Sequence, residues 1–343
     1  MPSSLSHQQI IMTAVLQIQQ VSRRFVKTPG AIEKLASWMG ADFSVQTIHA
    51  VDQVSFEVNR GEVVGLVGES GCGKSTLGRM IAGLLPLSEG RLLYDGQPLP
   101  TGTDLNSRRS RLRLQMIFQD PMSSLNPRMK VGDIIGEAPV LHGLVSATEK
   151  TDYVANLLKK VSLDPDYAKR FAHQFSGGQR QRICIARALA VQPDFLICDE
   201  SVAALDVSIQ AQIINLFQQL RADLGLTYLF ISHDLGVVQH LADRVVVMYL
   251  GRVVETGPSN DLFSEPLHPY TRALLDEVPR LNSGKRAYVP IKGEIASALN
   301  PPAGCHFHTR CPQAGPRCKR EQPTTQNIGA QTVACHLHQG GTQ

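Results

Sequence analysis

The residues with the clearest chemical meaning lie at positions 68–76, where the sequence fits the pattern G-x-x-x-x-G-K-[ST] without a mismatch. The glycines of this pattern allow backbone N–H groups to point at phosphate oxygens, and the N-terminus of a following helix adds partial positive charge. Lys74 is expected to reach the β- and γ-phosphates, and Ser75 to bind Mg²⁺. We therefore predict a nucleotide-binding phosphate loop, which consists of Gly68, Glu69, Ser70, Gly71, Cys72, Gly73, Lys74, Ser75 and Thr76.

The segments on either side of the phosphate loop predict the strand and the helix that this mechanism requires. Residues 62–67 form a short apolar run, which is typical of a buried strand, and residues 77–85 have a helical pattern. A glycine-rich turn can match the motif by chance, but the order strand, loop, helix is the context that gives the motif its function. The sequence therefore predicts an α/β fold of the phosphate-loop nucleotidase class.

Polar side chains follow three more apolar runs that are predicted as core strands. Asp199 and Glu200 end one run, Gln119 follows the second and His233 the third. A carboxylate after a core strand holds Mg²⁺ in phosphate-loop nucleotidases, so we predict that Asp199, Ser75 and Gln119 surround the metal. Glu200 is placed to orient or deprotonate the water that attacks the γ-phosphate, whereas His233 could hydrogen-bond this phosphate or serve a structural role. Glu200, Gln119 and His233 are therefore the candidate catalytic residues.

A second anion site is predicted where a helix begins after Phe175. The residues that open this helix are Ser176, Gly177, Gly178 and Gln179. The serine hydroxyl, the free N–H groups of the first turn and the helix dipole would all face an anion, although no lysine is present. A helix cap alone needs only the serine, so two glycines and a glutamine are more than capping requires. We therefore expect these four residues to bind phosphate.

Composition limits the classes of protein to which the chain can belong. The 343 residues are 43% hydrophobic and carry a formal net charge of +4, which suits one large core with a smaller unit. No apolar run approaches the roughly 18 residues of a membrane-spanning helix. Residues 1–13 lack the features of a secretory signal, so we expect a cytoplasmic chain, with Met12 as an alternative start. The basic run 108–113 favours a solvated face or a contact to anionic headgroups over nucleic-acid binding.

The N-terminal part of the chain predicts a small antiparallel sheet that could hold a nucleotide base. Residues 16–22 alternate apolar and polar side chains, and residues 51–59 form a second predicted strand. Residues 26–47, with a helical pattern over 32–39, are expected to be an insertion at the edge of this sheet. Phe25 is predicted to lie against an adenine ring, because a flat apolar face holds a base. An ordinary core position for Phe25 is the alternative.

The seven cysteines favour packing or metal binding, because a cytoplasmic chain has little use for a disulfide framework. Three of them lie inside predicted core elements or motifs. These are Cys72, Cys184 and Cys198. We expect these three to be small packing residues.

The other four cysteines are predicted to bind a metal. They are Cys305, Cys311, Cys318 and Cys335, spaced C-x5-C-x6-C-x16-C in a segment rich in Pro and Gly for which no core is expected. Zinc sites usually contain closer cysteine pairs, so the wider gaps favour a [4Fe-4S] cluster with a structural or redox-sensing role. Zinc and free thiols are the alternatives. The histidines available to zinc are His306, His308 and His336.

Taken in order, these motifs resemble the ATP-binding subunit of ABC transporters over about residues 14–260, after an N-terminal tail at 1–13. The resemblance is carried by the phosphate loop, Gln119, residues 176–179, Asp199 with Glu200, the Ala-Leu-Asp turn at 204–206 and His233. It implies an ABC ATPase domain that uses ATP and Mg²⁺, with an antiparallel β subdomain and a helical subdomain at about residues 120–185. It also implies that two such domains dimerise head to tail, with each ATP between the phosphate loop of one and residues 176–179 of the other.

The C-terminal tail, residues 261–343, is similar to the Cys-rich extension of dipeptide and oligopeptide importer ATPases. The similarity rests on HPYTRAL at 268–274, NPPAGC at 300–305 and RCP at 310–312. It implies a peripheral motor subunit at the cytoplasmic face of the inner membrane that powers peptide import. Its partners would be a homologous ATP-binding subunit, in a heterodimer or a homodimer, two transmembrane permease subunits and, through the complex, a solute-binding protein. No nucleic acid is expected as a partner.

Two departures from the family pattern and two alternative functions accompany this resemblance. Phe175 replaces the common Leu at a buried position, and Ser-Val-Ala at 201–203 replaces the usual Pro-Thr/Val-Ser in a loop that contacts the opposite subunit. The importer could instead carry nickel or glutathione, since the motor subunit does not select the solute. A regulatory ABC ATPase without a channel would be expected to have paired ATPase domains or an interrupting coiled coil, and the sequence has neither.

Overall fold

The structure, a computed structural model, describes residues 14–27, 46–99, 111–277, 293–294 and 296–339. The helical pattern expected at 32–39, the alternative start at Met12 and residues 108–110 of the basic run lie outside this part of the chain. Within it, no helix has the length and apolar character needed to cross a membrane. The strands are β1 (Ala14–Lys27), β2 (Gln46–Asn59), β3 (Val63–Val67), β4 (Glu89–Tyr94), β5 (Gln97–Pro98), β6 (Leu114–Ile117), β7 (Phe195–Asp199), β8 (Thr227–Ile231), β9 (Arg244–Tyr249), β10 (Arg252–Pro258), β11 (Gln326–Ile328) and β12 (Gln331–Val333).

The larger of the two sheets has eight strands in the order β11-β12-β10-β9-β3-β8-β7-β6. Five neighbouring strands, from β9 to β6, run parallel, and β10 returns antiparallel to β9. β3, β7 and β8 are five-residue runs in which every residue is buried, as expected of strands that are covered on both faces. The predicted α/β nucleotidase fold is confirmed.

Two hydrophobic cores cover the two faces of this sheet. Val63 and Val67 of β3 belong to one core, whereas Val64 and Leu66 belong to the other. This division follows from the strand geometry, because successive side chains point to opposite faces. The first core includes the side chains of the helices between β6 and β7, and the second includes the small antiparallel sheet.

The smaller sheet is antiparallel, with the strand order β2-β1-β4-β5. β1 and β2 are each 14 residues long, so both extend further than the alternating pattern predicted. They pair Phe25 with Ile48 and Val26 with Thr47, next to the undescribed segment 28–45. The expected antiparallel β subdomain is therefore present.

The helices of the described residues are α1 (Lys74–Ile81), α2 (Pro121–Ser124), α3 (Val131–Leu141), α4 (Lys150–Lys160), α5 (Gly177–Leu189), α6 (Val207–Leu224), α7 (Leu235–Leu241), α8 (Ser259–Ser264), α9 (Pro269–Asp276) and α10 (Pro316–Arg320). The helices α2 to α5 lie between β6 and β7 along the chain and form the helical subdomain. α3 lies within the helical subdomain expected at about residues 120–185, although it contains Gly132 and Pro139. Pro139 lies inside α3, which continues to Leu141 although a proline there removes one backbone hydrogen bond of the helix.

The tail packs against the ATPase domain. β12 pairs with β10 and thereby extends the main sheet. Phe307 is fully buried, with its ring centroid 5.2 Å from that of Tyr249 and 5.3 Å from that of Tyr270. The expectation that the cysteine segment has no core was wrong, because Phe307 belongs to the core of the main domain.

Candidate nucleotide site

The predicted site residues follow the carboxyl ends of four neighbouring parallel strands. β3 leads into the phosphate loop, β6 is followed by Gln119, β7 ends at Asp199 next to Glu200, and β8 is followed by His233. Because parallel strands end at the same edge of the sheet, loops from separate parts of the sequence meet there, and α/β proteins bind ligands at such an edge.

Two glycines of the phosphate loop occupy positions that exclude any side chain. The φ angle is +148° at Gly68 and +106° at Gly73. A Cβ atom on Gly68 would lie 2.1 Å from the carbonyl oxygen of Met248, and one on Gly73 would lie 2.1 Å from that of Ala50. Glycine is therefore required at both positions, and it allows the loop to pack closely against β9 and β2.

The loop presents an ammonium group and a helix N-terminus. Lys74, the first residue of α1, is only 4% exposed, and its Nζ donates to the carbonyl oxygens of Gly68 at 2.7 Å and Glu69 at 2.9 Å. Among the described residues, no side chain caps α1, and its first turn contains no acidic residue. The first N–H groups of the helix are thus available to an anion, as phosphate binding requires.

Ser75 and Asp199 form an oxygen-rich pair beside the phosphate loop. The Ser75 hydroxyl donates to Oδ1 of Asp199 at 2.7 Å. Burial raises the pKa of the Asp199 carboxyl, while the hydrogen bond from Ser75 and the charge of Arg79 oppose this rise. Mg²⁺ prefers hard oxygen ligands and commonly uses one or two carboxylates, so the hydroxyl and the carboxylate fit this ion.

Glu200 is the centre of a second polar group. Its Oε2 accepts a hydrogen bond from Nε2 of Gln119 at 2.7 Å, and its Oε1 lies 3.4 Å from Nδ1 of His233. The backbone of Glu200 has φ of +47°, and its N–H donates to the carbonyl of Ile231 at 2.9 Å. Such a conformation is uncommon for a residue with a side chain and tends to occur at functional sites. The amide nitrogen of Gln119 thus contacts Glu200, which suits the predicted catalytic role, and its second predicted role at the metal stays a prediction.

Phe25 lies near the end of β1, with its ring half-buried. The guanidinium carbon of Arg23 is 4.6 Å from the ring centroid. Neighbouring Val26 and the paired residue Ile48 are exposed. Phe25 belongs to neither hydrophobic core, so the alternative of an ordinary core position does not hold.

Residues 176–179 begin α5, as predicted, but the reasoning about their composition was wrong. The Ser176 hydroxyl accepts from the Gln179 N–H at 3.4 Å, and the Gln179 side chain accepts from the Ser176 N–H at 3.1 Å. Gln179 therefore completes a capping box. Gly178 also has a packing reason, because a Cβ there would lie 2.5 Å from Cγ2 of Ile209. Of the four residues, only Gly177 has neither role in the structure.

The two departures from the family pattern lie in different surroundings. Phe175 is buried, as expected, and its ring centroid is 5.2 Å from that of Tyr167 in an edge-to-face arrangement. Ser201 and Val202 are also buried, whereas Ala203 is exposed. Of the substituted residues at 201–203, Ala203 is thus the one open to a partner.

The four tail cysteines lie near each other without forming a ready metal site. The N–H of Cys305 donates to the carbonyl of Cys318 at 2.9 Å. Burial raises the pKa of the Cys305 thiol to about 11, and the other three tail cysteines add to the rise. Among the described residues, however, no three or more His, Cys, Asp or Glu side chains are arranged so that they could hold a metal ion. The other three cysteines of the chain are buried, as predicted.

The three histidines considered for zinc have other partners. Nδ1 of His306 lies 3.0 Å from the carbonyl oxygen of Leu250, and Nδ1 of His308 lies 2.9 Å from that of Cys305. His336 uses both ring nitrogens, with Glu321 and Gln339 as partners. These contacts weaken the case for a mixed Cys/His zinc site.

The sequence analysis missed two tail residues that touch the phosphate loop. Arg310 forms an ion pair with Glu69, and Tyr270 accepts a hydrogen bond from the Glu69 N–H. Local pattern gave no signal for either contact, because the partners are 241 and 201 residues apart in the sequence.

This arrangement defines the class of the protein. A glycine loop with a buried lysine, a serine paired with a strand-end aspartate, and a neighbouring glutamate on one sheet edge are the parts of a phosphate-loop NTPase. The additional antiparallel sheet and the helical subdomain narrow the class to the ATP-binding cassettes.

Comparisons with known proteins place the chain within this class. The family model for ABC transporters matches residues 51–203, and that for the oligopeptide/dipeptide transporter C-terminal region matches residues 254–318. The oligopeptide transport ATP-binding protein AppF of Bacillus subtilis (strain 168) is 47% identical over 329 residues, which cover 94% of this chain and 97% of AppF. A putative peptide import ATP-binding protein of Brucella abortus (strain 2308) is 51% identical over 292 residues, covering 85% of this chain and 87% of that protein. The chain belongs to the ATP-binding proteins of the ABC transporter family.

Solved structures of ABC proteins share the fold. The cbiO1 protein of Clostridium perfringens, part of the ABC transporter complex cbiONQ, aligns with a TM-score of 0.61 and 27% identity, covering 74% of this chain and 91% of cbiO1. The dimeric ATP-binding cassette MJ0796 with bound ADP and phosphate aligns with a TM-score of 0.60 and 25% identity, covering 71% of this chain and 98% of that cassette. The chain is thus an ATPase of the ABC type.

Proposed function

We propose that this chain is the ATP-hydrolysing motor subunit of an importer for oligopeptides or dipeptides. The observation that carries the proposal is the combination of a complete nucleotide site with a tail that matches the oligopeptide/dipeptide transporter C-terminal region. The names of two close relatives support the same class of solute. In this proposal, residues 14–260 form the ATPase domain and residues 261–343 the importer-specific extension.

The residues at the sheet edge divide the reaction among themselves. Lys74 and the N-terminus of α1 bind the β- and γ-phosphates, and Phe25 offers its ring to the adenine. Ser75 and Asp199, together with Gln119, hold Mg²⁺, which when bound neutralises charge on the phosphate oxygens. Glu200 takes the proton of the attacking water, which Gln119 helps to place, while His233 binds the γ-phosphate.

A second subunit completes the site in this proposal. In the described part of the chain, no hydrogen bond joins residues 176–179 to the phosphate loop, so this helix start is available to the γ-phosphate of an ATP held by a partner. The dimeric cassette MJ0796 supports such pairing. The partner is a homologous ATP-binding subunit, in a heterodimer or a homodimer. Together they serve two permease subunits and a solute-binding protein from the cytoplasmic face of the membrane.

We further propose that the tail cysteines bind a [4Fe-4S] cluster, with zinc as the alternative. Their spacing and the proximity of the other three thiols to Cys305 support this, and binding would require the four thiols to draw together. Metal analysis after anaerobic purification tests it: about four irons per chain support the cluster, one zinc the alternative, and no metal contradicts both. Cys318→Ser should reduce complex assembly far more than nucleotide binding.

The import function is tested by reconstitution. The subunit is purified with its permeases, placed in proteoliposomes with the solute-binding protein, and supplied with ATP and a labelled dipeptide, a longer peptide, nickel or glutathione. We expect ATP-dependent uptake of a peptide, and no uptake by a complex that carries Glu200→Gln. Uptake of nickel or glutathione alone would refute the peptide assignment, and absence of ATP hydrolysis would refute the motor role.

A further inference from the structure

Two residues of the tail hold one residue of the phosphate loop, and the proposed chemistry uses neither. Nη1 and Nη2 of Arg310 donate to the two carboxylate oxygens of Glu69, at 2.7 and 2.9 Å. The hydroxyl of Tyr270 accepts a hydrogen bond from the backbone N–H of the same glutamate at 2.9 Å. We call Arg310 and Tyr270 the loop clamp.

The loop clamp is buried, unlike a second ion pair within the described part of the tail. The side chains of Arg310 and Glu69 are 5% and 18% exposed, whereas those of the pair Arg317 and Glu321 are 51% and 59% exposed. A bidentate pair shielded from water is well ordered and strong, while a surface pair contributes little. Arg317 therefore provides a matched control for Arg310.

Glu69 is fixed through all three of its polar groups. Its N–H is bound to Tyr270 and its carboxylate to Arg310, while its carbonyl oxygen accepts a hydrogen bond from Nζ of Lys74 at 2.9 Å. The position of the Glu69 peptide therefore determines where Lys74 is held. Lys74 is the only side chain of the loop that carries positive charge toward the phosphates, so a displaced Glu69 would displace this charge.

Charge gives the clamp a second effect on nucleotide binding. Glu69 places a negative charge in the loop that must receive the polyanionic phosphates of ATP. Like charges repel more strongly where water is excluded, and the guanidinium of Arg310 cancels this charge. Without Arg310, the carboxylate would oppose the phosphates directly.

The clamp is continuous with the cysteine segment. Arg310 is adjacent to Cys311, and its N–H donates to the carbonyl of Phe307 at 3.0 Å. The ring of Phe307 in turn packs against Tyr270, with the ring centroids 5.3 Å apart. A change in the conformation of residues 305–311 is therefore passed to both members of the clamp.

We propose that Arg310 and Tyr270 are positioning residues that set the affinity of the phosphate loop for ATP and thereby couple this site to the cysteine segment of the tail. The inference rests on the proposed ATP site and adds regulation to it. Because coupling between two sites is reciprocal, ATP binding must also order the tail.

The first test compares MgATP affinity of the full chain, measured by calorimetry. We expect Arg310→Met to bind MgATP roughly fivefold or more weakly than the wild type, because a buried bidentate pair is lost and Glu69 is left unpaired. Arg317→Met should stay within about twofold, as for an exposed pair. The double variant Glu69→Gln/Arg310→Met should regain at least about threefold over Arg310→Met, since neighbouring sites couple and the repelling charge is gone. Equal affinity of Arg310→Met and wild type, or no recovery in the double variant, would overturn the inference.

A second measurement tests the coupling and guards against misfolding. Hydrogen exchange of residues 304–311 should slow when MgATP binds the wild type and stay unchanged in Arg310→Met. If MgATP leaves the hydrogen exchange of these residues unchanged in the wild type, the coupling is refuted. If Arg310→Met does not fold, Tyr270→Phe, which removes one hydroxyl, should still weaken binding by roughly threefold, and wild-type affinity in this variant refutes the clamp. If the wild-type chain binds no MgATP, the proposed function fails together with the clamp. If the wild type binds MgATP and the variants bind it equally well, only the clamp fails.

Discussion

The burial of His268 leads us to predict that the folded protein loses stability in acid. The histidine is the N-cap of α9, where Nδ1 accepts the backbone N–H of Tyr270 at 3.0 Å. Burial, together with the charges of His338 and Arg272, lowers the pKa of His268 to about 3. The facing acid is Glu255, whose carboxylate accepts the N–H of His268 at 2.9 Å. The ring is therefore neutral in the folded protein over the whole physiological range.

The size of the effect follows from the two pKa values. A histidine in the unfolded chain titrates near 6.5, so below this pH the unfolded chain binds a proton that the folded one does not. The stabilising contribution is complete above pH 6.5 and is lost progressively toward pH 3. At about 1.36 kcal/mol per pH unit, the loss at pH 5 is about 2 kcal/mol. Burial raises the pKa of the Glu255 carboxyl, so the contribution of Glu255 to stability changes with pH in the opposite direction. Because the wild type and the His268 variant both contain Glu255, this contribution cancels when the two are compared.

The assay compares the wild type with His268→Asn, because the side-chain oxygen of asparagine can accept the N–H that Nδ1 of His268 accepts, and asparagine does not titrate. Urea unfolding gives the free energy of unfolding of both proteins at pH 8 and pH 5. We expect the wild type to lose about 2 kcal/mol more than the variant between the two pH values. His142→Asn, at an exposed position, serves as the control and should show no such change. The reasoning is refuted if the free energies of unfolding of wild type and variant differ by the same amount at both pH values, because His268 would then carry its proton in the folded state.

Three further predictions concern the nucleotide site. Glu200→Gln should bind ATP normally but turn over about 100-fold or more slowly in a single-turnover assay, since a general base is lost; equal turnover excludes this role. Lys74→Ala should act earlier and weaken ATP binding, and calorimetry that shows unchanged affinity would contradict the assignment. The isolated chain should be a poor ATPase that gains activity when its partner subunit and permeases are added, whereas full activity in a preparation shown by light scattering to be monomeric would argue against a site shared between subunits.

The nucleotide half of the molecule could be predicted because its signals are local. The strand β3, the phosphate loop and α1 are contiguous, so the motif and its context are visible together. The strand-end residues Gln119, Asp199 and His233 come from distant parts of the chain, but each follows an apolar run, and parallel strands bring such ends to one edge. The order of the motifs then identified the domain.

The tail could not be predicted in the same way, because its packing depends on contacts across the whole sequence. Phe307 is a single aromatic residue in a polar segment without periodicity, so the local sequence does not predict that it is buried. The pair of Arg310 and Glu69 joins residues that are 241 positions apart. Gln179 was misinterpreted for a different reason. Its capping role can be inferred from the local sequence, but the residue was assigned to phosphate binding instead.

The pairing of β12 with β10 protects the edge of the main sheet from self-association. β10 would otherwise be the outermost strand of the main sheet, with a row of unpaired N–H and C=O groups. Such a row is a template for adding strands from other molecules, and a short final strand limits this risk. β11 and β12, of three residues each, supply that short border. Because these strands are synthesised after β10, a growing chain exposes the flank of β10 until residues 326–333 emerge, and a fragment cut after β10 would remain prone to self-association through it.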